Sequence, residues 1–111
     1  EQCKLGSVVF GINESRLKII GTYAFQSCHY LREIVLPASL ESIGDHAFNG
    51  CGLLRRIVLP PGSRLKKIEA EAFSDCTELY EVNLSEATSL TSLGSISFFH
   101  CIELQLLQLP V

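Results

Sequence analysis

Apolar residues recur along the chain in one fixed order, separated by polar and turn-forming residues. The copy that opens at Leu40 contains, in order, Leu40, Ile43, Gly44, Ala47, Phe48, Cys51, Leu54, Ile57, Leu59 and Pro60. The same order recurs in copies that open at Leu17, Leu65 and Leu90, so the opening leucines lie 23, 25 and 25 residues apart. Self-similarity at such a period indicates a solenoid, in which each copy forms one winding.

The spacing inside a copy is rigid, and length varies at one connection only. The interval from the opening leucine to the leucine of the LxxIxL segment is 14 residues in all four copies. The variable connections, GINESR, PAS, PPGSR and SEATS, are rich in the Pro, Gly, Ser and Asn of surface turns. A partial copy, LGSVVFG, precedes them. We therefore divide a single domain, residues 1–111, into a partial repeat 3–16 and repeats 17–39, 40–64, 65–89 and 90–111.

The apolar positions of one copy are too few to fold alone. About seven buried side chains at roughly 1.5–3 kcal/mol each cannot offset a backbone entropy cost of roughly 1–2 kcal/mol per residue. Stacked copies place each position on its equivalent, which predicts a column of Phe25, Phe48, Phe73 and Phe98. The segment LxxIxL ends with a period of two, so we expect Ile34 and Leu36 to point inward and Glu33 and Val35 outward.

The consensus LxxIxLPxxLxxIGxxAFxxCxxL resembles the BspA-type, or Treponema-like, subclass of leucine-rich repeat over residues 3 to 111. The Ala-Phe pair, the Cys three residues later and the Leu-Pro after the strand carry the resemblance. It implies a leucine-rich-repeat solenoid with a short parallel β-sheet on the concave side. We expect the IGxxAF segments to form extended or tightly turned arms on the side of the solenoid opposite this sheet, and we expect little α-helix. Three residues depart from the pattern, and we expect only local changes of turn geometry at Glu69, Ser85 and Ser97.

The same resemblance implies a function and a location. Proteins of this family are exported or surface-attached and act through adhesion and protein binding. We therefore expect the chain to be exported, at the cell surface or in the periplasm. Its first residues, EQCKLGS, do not form a signal peptide, so we expect the leader to be absent from this chain.

Composition narrows the classes of partner. A net charge of -3 and a pI near 5.5 offer no basic patch for nucleic acid. No apolar run reaches the roughly 18–20 residues of a membrane span.

We expect no cofactor, and no glycine-rich phosphate loop or GxSxG motif occurs. His29 and His100 adjoin cysteines, but adjacent residues point apart. We interpret the histidines as exposed turn residues and the chain as no enzyme.

The cysteines at one repeat offset admit three interpretations. The favoured one is a buried column of small apolar thiols, formed by Cys28, Cys51, Cys76 and Cys101. Zinc is disfavoured because no CxxC or CxxH pair occurs. A disulfide between successive windings is an alternative, since strands lie about 4.8 Å apart, but neighbours in register rarely offer the required dihedral angle. We expect Cys3 to be the reactive thiol.

The outward strand positions form two rows, which hold the candidate binding residues. One row is Ser7, Glu33, Arg56, Glu81 and Leu106, and the other is Val9, Val35, Val58, Asn83 and Gln108. Glu33, Arg56 and Glu81 in the first row can pair across neighbouring strands or contact a ligand, and both interpretations stay open. Arginines and an aromatic at the strand entrance are types enriched at interfaces. The predicted protein-binding residues are Arg32, Val35, Arg55, Arg56, Val58, Tyr80 and Glu81.

Two functions remain open at this stage. The favoured one is a non-enzymatic protein-interaction module, an adhesin-like protein whose sheet face binds a protein ligand such as a host extracellular-matrix or serum protein. The alternative is a structural segment that assembles through its uncapped repeat ends. In that case the C-terminal strand edge, with Leu104, Leu106, Leu107 and Leu109, would form a homo-oligomer.

Overall fold

The computed structural model describes residues 7–9, 16–94 and 96–108, with the backbone alone at residues 7–9, 106 and 107. Its strands, in chain order, are β1 (Ser7–Val9), β2 (Ile19–Ile20), β3 (Glu33–Val35), β4 (Ser42–Ile43), β5 (Arg56–Val58), β6 (Lys67–Ile68), β7 (Glu81–Asn83), β8 (Ser92–Leu93) and β9 (Leu106–Gln108). The described residues contain no helix. Strands and tight turns therefore account for the whole described architecture.

The strands form two parallel sheets, and each full winding contributes one strand to each. Sheet A has the order β1-β3-β5-β7-β9, and sheet B has the order β2-β4-β6-β8. All pairings are parallel and join equivalent positions of successive windings, such as Ile34 with Ile57 and Ile43 with Ile68. The predicted solenoid, with a short parallel sheet and turned arms opposite, is confirmed.

Alternation along the strands of sheet A fixes which side chains enter the core. Ile34 and Leu36 are buried, while Glu33 and Val35 between and beside them are only half-buried. Ile57 and Val82 repeat the buried position on β5 and β7. The inward and outward assignments made from the sequence are correct, because a strand turns successive side chains to opposite faces.

The phenylalanines stack in one column through the core. The ring centroids of Phe25 and Phe48, and of Phe48 and Phe73, are 5.1 Å apart, and those of Phe73 and Phe98 are 5.5 Å apart. The rings are within 7° of parallel. At these separations they are offset-stacked, an arrangement favoured over a direct sandwich. Phe48 and Phe73 are buried, whereas the terminal Phe25 and Phe98 are only partly covered.

The arm between sheet B and the cysteines turns tightly because two residues in each winding adopt a left-handed backbone. The first position is occupied by Tyr23, His46, Glu71 and Ile96, and the second by Ser27, Gly50, Asp75 and His100. Gly, Asp and His accept this conformation more readily than a β-branched residue does. Ile96, at φ 49°, is thus the most strained member of the set.

The three residues that depart from the repeat consensus are accommodated by local hydrogen bonds. Ser85 replaces Pro, and its backbone N–H donates to Asn83 Oδ1 at 3.0 Å, which closes an Asx-turn. Ser97 replaces Ala and stays buried because its hydroxyl donates to the Gly94 carbonyl. Glu69 keeps the ladder hydrogen bond of its register, since its N–H donates to the Ile43 carbonyl at 2.9 Å.

The partial N-terminal copy adds a strand in the predicted register. β1 pairs with β3 and places Val8 opposite Ile34. The other apolar positions assigned to this copy, Leu5 and Phe10, lie outside the described residues, as does Cys3. Sheet A therefore extends one strand beyond the four full windings.

Candidate functional site

The outward positions of sheet A line up in the two predicted rows. Cα pairing places Glu33 opposite Arg56 and Arg56 opposite Glu81, while Val35 lies opposite Val58. Both valines are half-buried and adjacent. Sheet A thus presents a charged row and a partly apolar row side by side on one face.

The charged row forms an ion-pair network within the sheet. Arg56 Nη1 donates to Glu33 Oε2 at 2.7 Å, and Arg56 Nε donates to Glu81 Oε1 at 3.3 Å. The guanidinium is half-exposed, so solvent and salt weaken each pair, and exposed pairs contribute roughly 0.2–1 kcal/mol. Arg56 is therefore paired with residues of both neighbouring strands but remains accessible at the surface.

A third row lies at the entrance to the strands and contains the remaining predicted residues. Arg32, Arg55 and Tyr80 are all exposed, and their main chains are linked from winding to winding. Arg55 N–H donates to the Arg32 carbonyl at 2.8 Å, and Tyr80 N–H donates to the Arg55 carbonyl at 2.9 Å. Arg55 Nε also donates to Glu78 Oε1 at 3.0 Å. The seven predicted residues thus share one contiguous face and its rim.

A cavity of about 530 Å³ opens at this rim. We call it the rim cavity, and its walls are formed by Arg55, Thr77, Glu78, Tyr80, Ile102 and Glu103. Sequence reasoning identified Arg55 and Tyr80 but missed the other four, because they come from turns of two different windings. One signal was available: Ile102 is apolar where the equivalent positions hold His29, Gly52 and Thr77.

The histidines form no pair with a cysteine. His100 Nδ1 lies 2.8 Å from Asp75 Oδ1, while the Cys101 thiol beside it donates elsewhere. His29 is exposed as expected. The expectation is wrong for His46, which is only 27% exposed, stacks on Tyr23 at 5.0 Å between ring centroids and lies 3.4 Å from a Glu71 carboxylate oxygen. Tyr23, His46 and Glu71 occupy one repeat position, so the stacking of the windings brings them together.

The cysteines form the predicted column, which is buried at Cys28, Cys51 and Cys76 and half-buried at Cys101, but they do more than fill space. The thiols of Cys51, Cys76 and Cys101 donate to the Phe carbonyl of the preceding winding, at 3.1–3.2 Å. Cys28 is disulfide-bonded, whereas the other three are free. The favoured interpretation of a small apolar thiol is therefore wrong at Cys28, whereas Cys51, Cys76 and Cys101 carry free thiols as expected.

The surroundings of the free thiols set their acidity. The interaction with the Cys76 side chain lowers the pKa of Cys51, and the same interaction, together with burial, raises the pKa of Cys76. Burial raises the pKa of Cys101 to about 11. Since the thiolate is the reactive form, these three cysteines are poor nucleophiles for different reasons: Cys51 and Cys76 are inaccessible, and Cys101 is protonated.

Alkylation should separate the free cysteines. When the folded chain is treated with iodoacetamide and modified peptides are quantified by mass spectrometry, we expect Cys101 to react first, with Cys51 and Cys76 protected. Because the pKa of Cys101 is about 11, its rate should rise about tenfold per pH unit between about pH 8 and 10. Equal labelling of Cys76 and Cys101 would show that the column is open to solvent.

Metal-binding clusters and membrane-spanning helices are both absent from the part of the chain that the structure describes. Across residues 16–94 and 96–108, no group of three or more His, Cys, Asp or Glu side chains is placed to hold a metal ion. No helix long and apolar enough to cross a membrane occurs in the described part of the chain. The face of sheet A and the rim cavity are the candidate functional surfaces of the described residues.

The family model for the BspA type leucine rich repeat region matches residues 1–111 in six copies. The chain belongs to the BspA-type leucine-rich repeat family. This agrees with the stacked windings, the Phe column and the two parallel sheets. Leucine-rich repeats of this kind typically serve as protein-interaction modules.

A solved structure gives the same result for the fold. The chain is similar to the T. pallidum leucine-rich repeat protein, with 30% sequence identity and a TM-score of 0.66. The match covers 88% of this BspA-type chain and 55% of that protein, so the chain spans about half the length of its solved relative. No curated protein matches the chain.

Proposed function

We propose that the chain is a non-enzymatic protein-interaction module that binds a protein ligand through the outward face of sheet A. The adjacent half-buried pair Val35 and Val58 is the observation that carries this proposal. These valines offer apolar area beside a charged row, and the exposed Arg32, Arg55 and Tyr80 flank them. Aromatic and arginine side chains around an apolar centre are typical of protein interfaces.

The size of the face sets the kind of binding. Five strands about 4.8 Å apart, with three residues of about 3.3 Å each, give a face of roughly 240 Å². A specific complex buries about 800 Å² on each partner. A ligand must therefore also contact the rim of the sheet, or bind several such faces at once, and one face alone should bind weakly.

A double substitution of the valines tests the proposal. The ligands are a panel of purified extracellular-matrix and serum proteins, immobilised for surface plasmon resonance. Replacing Val35 and Val58 with Glu should weaken any specific binding by about tenfold or more, because two carboxylates would have to be desolvated at the centre of the interface. Circular dichroism verifies that the variant is folded.

A matched substitution shows whether position or charge matters. Ile19 is 63% exposed and lies in sheet B, so Ile19→Glu adds a charge away from the proposed face. It should leave binding unchanged. Loss of binding by both variants, or by neither, would contradict a specific role for sheet A.

A second candidate function is assembly with another copy of the chain through the C-terminal end of the stack. Leu93 is 43% exposed, although its equivalents Ile43 and Ile68 are buried. Leu104 is likewise only partly buried. Of the other edge leucines predicted from the sequence, Leu109 and the side chains of Leu106 and Leu107 lie outside the described residues.

Ligand binding and light-scattering mass, measured on the wild type and on the variants, distinguish the binding function from the assembly function. If sheet A is the binding face, the Val35→Glu, Val58→Glu variant loses ligand binding while light scattering gives the same mass as the wild type. If assembly is the function, the wild type grows in mass with concentration and Leu93→Glu abolishes that growth. If assembly is the function, the wild type does not bind the protein ligands, so the valine substitutions do not change ligand binding.

The proposed location is outside the cytoplasm, at the cell surface or in the periplasm. The family to which the chain belongs supports this, since its members are generally exported or surface-attached. An adhesin-like role with a host extracellular-matrix or serum protein is consistent with such a location. The disulfide at Cys28 also fits an oxidising compartment.

A further inference from the structure

The rim cavity combines an apolar wall with carboxylates. Its volume of about 530 Å³ lies within the range of roughly 300–1,000 Å³ typical of ligand clefts. Tyr80 and Glu78 reach it from one winding, and Ile102 and Glu103 reach it from the next. The cavity adjoins sheet A, because Tyr80 directly precedes β7.

The charges of the cavity are unequally satisfied. Glu78 accepts a hydrogen bond from Arg55 Nε at 3.0 Å, so these two residues compensate each other. Glu103 is exposed and forms no ion pair with any residue that the structure describes. The cavity walls therefore carry a net charge of one negative unit, and the uncompensated carboxylate is that of Glu103.

The apolar wall is larger than the fold requires. Ile102 is 74% exposed, and the equivalent turn positions hold polar or small residues, Gly52 and Thr77 among them. Tyr80 is 43% exposed, and its hydroxyl has no hydrogen-bond partner among the described residues. An isoleucine and an aromatic ring thus face solvent beside a free carboxylate.

We propose that the rim cavity binds a lysine or arginine side chain of the protein ligand, an inference that rests on the proposed function of sheet A. The aliphatic stem packs on Ile102, the cationic group pairs with Glu103, and the face of Tyr80 contributes a cation–π contact. This contact supplies part of the interface that the small face of sheet A lacks.

The charges of the surrounding surface favour a basic ligand over an acidic one. Arg55, the cation in the cavity wall, is already paired with Glu78, and Arg56 is paired with Glu33 and Glu81. The whole chain carries a net charge of -3. An acidic side chain would have to displace an existing ion pair, whereas a basic one pairs with a carboxylate that has no partner.

Short capped peptides test the inference directly. ¹⁵N-labelled protein is titrated at low salt with acetylated and amidated Gly-Lys-Gly, Gly-Arg-Gly, Gly-Leu-Gly and Gly-Glu-Gly. The two basic peptides should shift the amide signals of Thr77, Glu78, Tyr80, Ile102 and Glu103, and added salt should reduce the shifts. Equal or larger shifts with the Glu peptide would overturn the proposal, as would shifts confined to other residues.

Two isosteric substitutions form a matched pair. Glu103→Gln removes the free carboxylate and should weaken binding of the basic peptides about threefold or more, since exposed ion pairs contribute little each. Glu86→Gln removes an exposed carboxylate outside the cavity and should leave binding unchanged. Equal effects of both variants would indicate general attraction by negative charge and contradict a site at Glu103.

The outcomes keep this inference separate from the proposed function. If the valine substitutions abolish binding of a protein ligand while Glu103→Gln leaves ligand and peptide binding intact, sheet A is a binding face and the rim-cavity inference fails. If basic peptides bind at the cavity but the valine substitutions have no effect on the protein ligand, the cavity site stands and the proposed function fails.

Discussion

Replacing Phe48 with Ala should destabilise the folded chain by about 3–5 kcal/mol, because the substitution removes a buried ring and leaves a cavity in the column. Phe48 is fully buried and stacks on both Phe25 and Phe73, at 5.1 Å between ring centroids. Small domains have a total stability of about 5–15 kcal/mol, so the loss is a large share of the whole. Urea unfolding followed by circular dichroism measures the change.

Phe99 provides the control within the same sequence. Its ring is 47% exposed and contacts His100, with 3.8 Å between ring centroids. We expect Phe99→Ala to change the free energy of unfolding by less than about 1 kcal/mol, as for other exposed positions. Phe25→Ala should lie between the two, since Phe25 is partly buried at the end of the column. Equal effects at Phe48 and Phe99 would contradict a continuous column.

The second large effect is expected from Gly44→Ala. A Cβ added at Gly44 would lie 2.7 Å from the Thr22 backbone nitrogen and 2.8 Å from the Gly21 carbonyl carbon of the preceding winding. Real Cβ atoms do not approach backbone so closely, so the windings must move apart. Overpacking of this kind costs about 1–3 kcal/mol. Chemical denaturation of the purified variant measures the loss.

Gly21 occupies the same repeat position and gives a matched comparison. A Cβ there meets no described residue within 4 Å. Gly21→Ala should therefore be neutral or should stabilise the chain by up to about 1 kcal/mol, because alanine restricts the unfolded chain. Glu69 holds the same position one winding after Gly44, and Gly94 holds it in the last winding, where an added Cβ would crowd the backbone of Glu69 and Ala70 in the same way. If Gly21→Ala proved as destabilising as Gly44→Ala, steric contact between windings would not be the cause.

The fold was predictable from the sequence because the repeat determines both period and register. Once equivalent residues are superimposed, Phe48 must stack on Phe73, and Arg56 must lie between Glu33 and Glu81. The alternation in LxxIxL then decides which side chains are outward. In this fold, the sequence spacing predicts contacts directly, because contacts between windings join residues at equivalent repeat positions.

Features that depend on departures from the repeat were not predictable in the same way. The disulfide of Cys28 breaks the equivalence of the cysteines, which the register argument assumes. By contrast, the stacking of His46 on Tyr23 joins residues of one repeat position, so the register could have indicated this contact. The rim cavity combines side chains from separate turns, and only the apolar character of Ile102 at a polar position hinted at it.

The fold and its binding face depend on equivalent side chains lying over one another from winding to winding, and a crystal structure tests this register most directly. We predict that diffraction will show Phe25, Phe48, Phe73 and Phe98 in one column, with successive ring centroids 5.1–5.5 Å apart. The same density should place Arg56 between Glu33 and Glu81 on the outward face of sheet A. Phenylalanine rings dispersed through the core, or outward rows out of register, would contradict the fold and the binding face built on it.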